Sequence, residues 1–361
     1  MPAILASLLR MRLSIAFIIT LIAVSAAFSQ QAPLTQAEYV KMLYTLQKDP
    51  AERDRIVEAL RKRGVAFEVT DGIRSLTKTK AGNDEELRRA LDEAGRRRLD
   101  PVGSQLPSAK EASDLLEAAR RNTMAAVGDM PDFVVKQLIQ RGMAYAGTNT
   151  YRTLDRLVVA VSYRSTGEED YRLLSINGVT QTNPKPQSSY SQAGGTSSTG
   201  EFVNVLATIF KPENEAKFIA LDTDQIDMRK AIVFEFTVAQ NKAQQRVSAG
   251  TLSTDQAITG MHGKVWIDRD TARVLRIESE ATDIPPGFIV TAARRIIDYG
   301  WVSINDEKYL LPSRSDVRLT SRSSGKLFDT RNIILFKDYQ KYGTDVVISD
   351  EDVKEEPEPK Q

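Results

Sequence analysis

The sequence predicts an α+β protein in which a small all-helical module precedes an antiparallel sheet. Three observations predict it. Helix-start signals recur through residues 34–98, the apolar period changes from helical to two beyond Met130, and one apolar helical stripe, Glu201 to Phe210, interrupts the strands and supplies a covering helix.

Each helix of the module has its own punctuation. Thr35-Gln36-Ala37-Glu38 is a capping box, in which the hydroxyl accepts a free N–H of the first turn and the glutamate reaches back. Asp49-Pro50-Ala51-Glu52 repeats the logic with proline at the first helical position. Asn83-Asp84-Glu85-Glu86 opens a further helix. Gly64 follows Arg61-Lys62-Arg63, a helix stop with cations at the negative end of the dipole. Val40, Leu43 and Tyr44, then Ile56, Val57 and Leu60, give the apolar stripes. Three or four short helices are expected over residues 30–98. Arg63 to Thr70, followed by Ile73, Leu76, Leu87 and Leu91, is similar to a helical segment at the front of many secreted bacterial proteins.

Residues 99–107, with two prolines and a glycine, read as a linker. Ser108-Ala109-Lys110-Glu111 caps a helix that buries Leu115, Leu116 and Ala119 and ends near Gly128. Strands follow. Leu157, Val159, Val161 and Tyr163 alternate with smaller or polar residues, as do Ile232, Phe234, Phe236 and Val238. Leu275 and Ile277 are expected to face away from Arg276 and Glu278, and Tyr299 and Trp301 from Asp298 and Gly300. Ile333 and Leu335 alternate with Ile334 and Phe336. Asp268-Arg269-Asp270-Thr271 and Asn305-Asp306-Glu307-Lys308 are the turns, and about eight to ten strands are expected. A flexible loop is expected over 187–200, and residues 350–361, with six acids, two lysines and two prolines, read as a disordered acidic tail.

Composition narrows the function. The chain has 361 residues, 41% hydrophobic and 27% charged, as in soluble globular proteins. Its 49 basic residues balance 48 acidic ones, which argues against a protein built around nucleic acid. It has no cysteine and one histidine, so thiolate chemistry, disulfides and multi-histidine metal sites are excluded. Residues 1–29 read as a signal peptide: Arg10 and Arg12 precede an apolar run of about 15 residues, short of the ~20 that span a bilayer, and Ala27-Phe28-Ser29 sets small residues before the cut. The protein is expected to be exported, periplasmic or secreted, without a stable membrane span.

The segment His262-Gly263-Lys264-Val265-Trp266-Ile267-Asp268-Arg269-Asp270-Thr271-Ala272-Arg273-Val274-Leu275-Arg276-Ile277-Glu278 resembles the central hairpin of the periplasmic lipoprotein-carrier superfamily (LolA/LolB/RseB-like). Met130-Pro131-Asp132-Phe133, Glu169-Asp170-Tyr171, Ile176-Asn177-Gly178 and Gly200-Glu201-Phe202 are similar to landmarks of secreted acidobacterial-type proteins. The resemblance covers residues 108–349. It implies a strongly curved antiparallel sheet, an open half-barrel, plugged by helices and holding an acyl chain in the carriers. The chain departs from true carriers in its helical module and acidic tail.

A one-sided sheet needs a cover, because burying each large apolar side chain contributes ~1.5–3 kcal/mol. Phe202, Leu206, Ile209, Phe234 and Phe236 are therefore the candidate lining of an apolar ligand site. The expected function is a non-enzymatic binding or carrier protein for a lipid, an acyl chain or a lipoprotein segment, with no cofactor or metal. An envelope sensor or scaffold, with the helical module docking an envelope protein, is the alternative; a carboxylate-dependent hydrolase is the lesser one. His262 reads as a structural strand histidine and Glu168-Glu169-Asp170 as a solvated hairpin end. Gly194 to Gly200 reads as a linker, since Glu201 stands where a phosphate loop places lysine. Arg61-Lys62-Arg63 and Arg96-Arg97-Arg98 read as helix-dipole partners. Trp266 and Trp301 read as sheet aromatics rather than sugar platforms.

Overall fold

The structure, a computed structural model, describes residues 32–49, 51–82, 84–148, 150–181, 201–243, 245–248 and 256–343. The expected signal peptide, the expected loop over 187–200 and the expected acidic tail lie outside them. The chain divides into two compact units, Met1–Ser104 and Gln105–Gln361.

Among the described residues the first unit holds four helices: α1 (Gln36–Leu46), α2 (Glu52–Arg63), α3 (Asp71–Lys80) and α4 (Glu85–Leu99). The Thr35 capping box forms in both directions. Asp84 accepts from the Leu87 N–H at 2.8 Å and starts α4. The start of α2 differs from expectation: Ala51 occupies the cap without a side-chain bond, while Asp49 Oδ1 accepts from the Ala51 N–H at 3.0 Å. Gly64 stops α2 in the left-handed region (φ 67°). Its carbonyl accepts from the Leu34 N–H, so Leu34 and Val65 form a one-residue parallel bridge. Tyr39, one helical turn before Leu43, enters the core with Ile56, Leu60, Leu87 and Leu91. Tyr44, expected on that stripe, is exposed beneath the Lys80 ammonium.

The second unit starts with α5 (Ala109–Gly128), capped by Ser108. Four strands follow: β1 (Phe133–Tyr145), β2 (Arg152–Tyr163), β3 (Glu169–Ile176) and β4 (Val179–Thr180). Then come α6 (Asn204–Phe210), a 3-10 turn (Pro212–Asn214), β5 (Lys217–Ile226), β6 (Arg229–Val238), α7 (Gln240–Ala243) and β7 (Gln245–Ser248). The last five strands are β8 (Gln256–Asp268), β9 (Val274–Thr282), β10 (Val290–Ile304), β11 (Glu307–Ser323) and β12 (Lys326–Lys341). The described residues form one curved, unclosed, antiparallel sheet in the order β4-β3-β2-β1-β12-β11-β10-β9-β8-β6-β5, with β7 paired to β8. The fold is the α+β half-barrel expected. Among the described residues the strand count is twelve rather than about eight to ten, because β4 and β7 are too short to show a period.

Residues directly opposite in antiparallel pairs share a face. One face carries two apolar clusters. The first joins α5, α6 and strands β6, β8, β9 and β10; the second joins Phe202 to β1, β2, β3, β11 and β12. Leu275 and Ile277 do not share a face as expected. A bulge opposite Trp266/Ile267 sends Leu275 to the other face, with Ala231, Val233 and Trp266, while Ile277 stays under the helices.

That other face is charged. His262, Glu280, Arg294, Arg318 and Arg331 lie in line across β8 to β12. The three adjacent arginines would repel one another. Asp316, fully buried one step along β11, takes Arg331 at 2.8 Å and Arg318 at 3.1 Å. Glu278 and Glu280 take Arg294.

Two predictions follow from this geometry. A Cβ on Gly263 would collide with the Glu278 carbonyl and approach the Ser279 Cα to 2.9 Å, both backbone atoms of the paired strand. Gly263→Ala is therefore expected to cost about 3 kcal/mol or more, read as a lowered urea midpoint; an unchanged midpoint would refute the close approach. Burial works to raise the Asp316 carboxyl, but Arg331 and Arg318 outweigh it and hold the pKa at about 2. A depressed folded-state pKa contributes stability that is complete above about pH 4 and is lost as pH falls through about 2. Asp316→Asn is expected to cost about 3 kcal/mol at neutral pH and to flatten the loss of stability between those pH values. Parallel acid profiles of the two proteins would contradict it.

Candidate functional site

The candidate site is the helix-covered face and the cleft beside it. Helix α6 packs there because Val205, Leu206, Ile209 and Phe210 fall on one stripe and are all buried. The helix begins at Asn204, not Glu201; residues 201–203 form a turn that aims Phe202 elsewhere. Of the five candidate residues, Leu206, Ile209, Phe234 and Phe236 share the first cluster. Phe202 sits in the second, edge-on to Phe133 (ring centroids 5.3 Å) and Phe336 (5.6 Å) and tilted against Tyr163 (5.8 Å). All five are buried. The aromatic surround of Phe202 went unread. Tyr163 and Phe336 carried only a strand alternation, and nothing in one sequence brings β1, β2 and β12 around a residue of the α6 turn.

The register also places polar groups on this apolar face. Gln137 lies between Val135 and Ile139 of the second cluster, opposite Val159 and Phe336. Ser315 lies between Ile297 of the first cluster and Ile334 of the second. Tyr299 belongs to the first cluster. Gln137 and Ser315 are wholly buried, yet both Gln137 amide atoms, Ser315 Oγ and Tyr299 Oη have no hydrogen-bond partner. Each such group costs about 1–3 kcal/mol. By contrast Tyr339 Oη donates to the Pro312 carbonyl at 2.6 Å, and Arg141 donates twice to Asp155, at 2.7 and 2.6 Å. Burial raises the Tyr299 phenol well above its ordinary range, and the Tyr339 phenol likewise. These groups stay neutral at physiological pH, so they offer hydrogen bonds rather than proton transfer.

Beside α6 lies a cleft of about 660 Å3. The outer side of α6 (Asn204, Thr208), the 3-10 turn, α7, β7 and Arg295 of β10 line it. None of the five candidate residues does so.

The remaining motifs stand apart. His262 Nε2 faces Glu280 at 3.8 Å. Glu169 accepts from the Tyr171 hydroxyl, and Gly167 turns the chain in front of it with φ 87°. Arg61, Lys62 and Arg63 pair with Glu86, Glu58 and Glu38, and Arg96 with Glu93. Trp266 is buried and donates to Asp224 at 2.8 Å; Trp301 is half-exposed. Among the described residues no group of three or more carboxylates and histidines is placed to hold a metal ion, and no helix is long and apolar enough to cross a membrane.

No family model matches the chain, and no curated protein matches it. Solved structures with a similar course include a DUF1329 family protein from Desulfovibrio piger ATCC 29098, with 11% identity over 64% of this chain and 94% of that one, at a TM-score of 0.32. MucB in complex with MucA(peri) aligns at 10% identity over 60% of this chain and 93% of that one, TM-score 0.19. The Pseudomonas aeruginosa MucA/MucB complex aligns at 11% identity over 61% and 94%, TM-score 0.20. At these values no residue, ligand or partner carries over from those proteins to this chain.

Proposed function

We propose that this is an exported, non-enzymatic binding or carrier protein whose half-barrel holds the acyl chain of a lipid or lipoprotein segment beneath α6, against Phe202, Leu206, Ile209, Phe234 and Phe236. One observation carries the reading: Gln137, Ser315 and Tyr299 present buried polar groups without partners on the same apolar face. A core selected for stability alone replaces such groups by apolar ones, so their retention favours a bound molecule with polar atoms of its own.

The energetics set the ligand's length. Lifting α6 exposes Phe202, Val205, Leu206, Ile209 and Phe210, a cost on the order of 10 kcal/mol. At ~0.8 kcal/mol per buried methylene, a chain of about sixteen carbons repays it and one of about eight does not. Among the described residues β5 is an edge strand, and its exposed Ile219 favours protein–protein contact as the second reading.

Solvent extraction of the purified protein followed by mass spectrometry is expected to recover long-chain lipid. A fluorescent long-chain fatty acid is expected to bind saturably and to be displaced by a sixteen-carbon but not an eight-carbon acid. Recovery of no lipid together with no saturable uptake would overturn the proposal. Gln137→Met is expected to raise the unfolding free energy by about 1 kcal/mol while weakening fatty-acid binding. A fall in stability would show the amide to be structural instead.

A further inference from the structure

The cleft beside α6 has a one-sided charge. Lys211, Lys242, Arg246 and Arg295 line it against one lining carboxylate, Glu213. Lys242 is occupied: its Nζ donates to Glu215 at 2.7 Å and to the Glu213 carbonyl at 3.2 Å. Lys211 and Arg246 have no ion-pair partner among the described residues.

The feature that would repel an anion is already neutralised. The last carbonyls of α6 carry the negative end of its dipole. Here Asn214 Nδ2 donates to the Thr208 carbonyl at 3.0 Å and, more weakly, to the Ala207 carbonyl, which also accepts the Lys211 N–H. Four of the lining residues, Val205, Ala207, Ala243 and Met261, are apolar and buried. Gln245 adds a buried side-chain amide atom without a partner, and a half-turn of that amide exchanges its oxygen for an NH2 donor. A volume of about 660 Å3 admits an anion together with an organic body.

We infer that this cleft binds a phosphate-type oxyanion, carried by a small organic phosphate or a lipid headgroup, through Lys211 and Arg246. Lys211 lies at the end of α6 and Arg246 on β7, and both line the cleft. The inference needs no acyl chain under α6 and stands apart from that reading.

The experiment titrates the intact protein at low ionic strength with inorganic phosphate by calorimetry. A second arm measures co-sedimentation with phosphatidylcholine vesicles, with and without phosphatidylglycerol. Lys211→Gln combined with Arg246→Gln replaces two surface cations, and circular dichroism checks its fold; Arg121→Gln, exposed on α5, is the control. Saturable phosphate binding weakened about tenfold or more in the double variant and unchanged in the control supports a soluble phosphate. Sedimentation only with phosphatidylglycerol, lost in the double variant and kept in the control, supports a headgroup. Binding in neither arm, or equal binding by wild type and double variant, overturns the inference. Should the double variant misfold, Lys211→Glu alone is read by the same criteria. Fatty-acid uptake is measured separately, so failure of either proposal is seen independently of the other.

Discussion

The pairing of β1 with β12 holds the second unit together. Phe133↔Lys341 through Tyr145↔Phe328 aligns twelve residue pairs between chain segments nearly two hundred residues apart. On one side of this ladder β1 continues through β2 and β3 to β4; on the other β12 continues through β11 and β10 to β5. Each half is a run of mostly local hairpins. Only the β1–β12 ladder makes them one sheet, and only on one sheet can Phe202 meet Phe133 and Phe336 while Leu206 and Ile209 meet Phe234 and Phe236. The two-cluster face under α6 depends on it.

Local structure was legible where a residue's chemistry has one use. Thr35, Asp84 and Ser108 cap helices as their positions require, and Asn305-Asp306 turns β10 into β11 with both residues at positive φ. Alternation in β2 and β6 placed their apolar residues correctly, since one parity of each meets the helix-covered clusters. β1 gave no such signal. It is buried on both faces and carries Lys136, Gln137 and Arg141 inside, two of them satisfied by acids on other strands: Lys136 by Asp338 of β12 and Arg141 by Asp155 of the neighbouring β2. A period cannot appear where both parities are buried. The bulge that turns Leu275 was equally invisible, because one extra residue leaves composition unchanged.

The five candidate residues were legible as apolar, not as a constellation. The polar groups that make the face unusual escaped notice for a related reason. Gln137, Ser315 and Tyr299 are ordinary in sequence and become costly only when strand register brings them among Ile139, Ile297 and Ile334. The cationic cleft was hidden in the same way, since Lys211, Arg246 and Arg295 come from three separate elements. A greasy interior and a basic mouth thus lie on the two sides of one seven-residue helix.

The β1–β12 ladder also dictates when the sheet can exist. Its second member ends at Lys341, so a growing polypeptide must hold β1 open until some two hundred further residues have emerged. Contacts this remote slow the search for the native topology. During that delay β1 and β11 present naked edges, the templates on which nascent chains stick to one another. Loss of β12 would make the same exposure permanent, which makes this one strand a condition of solubility.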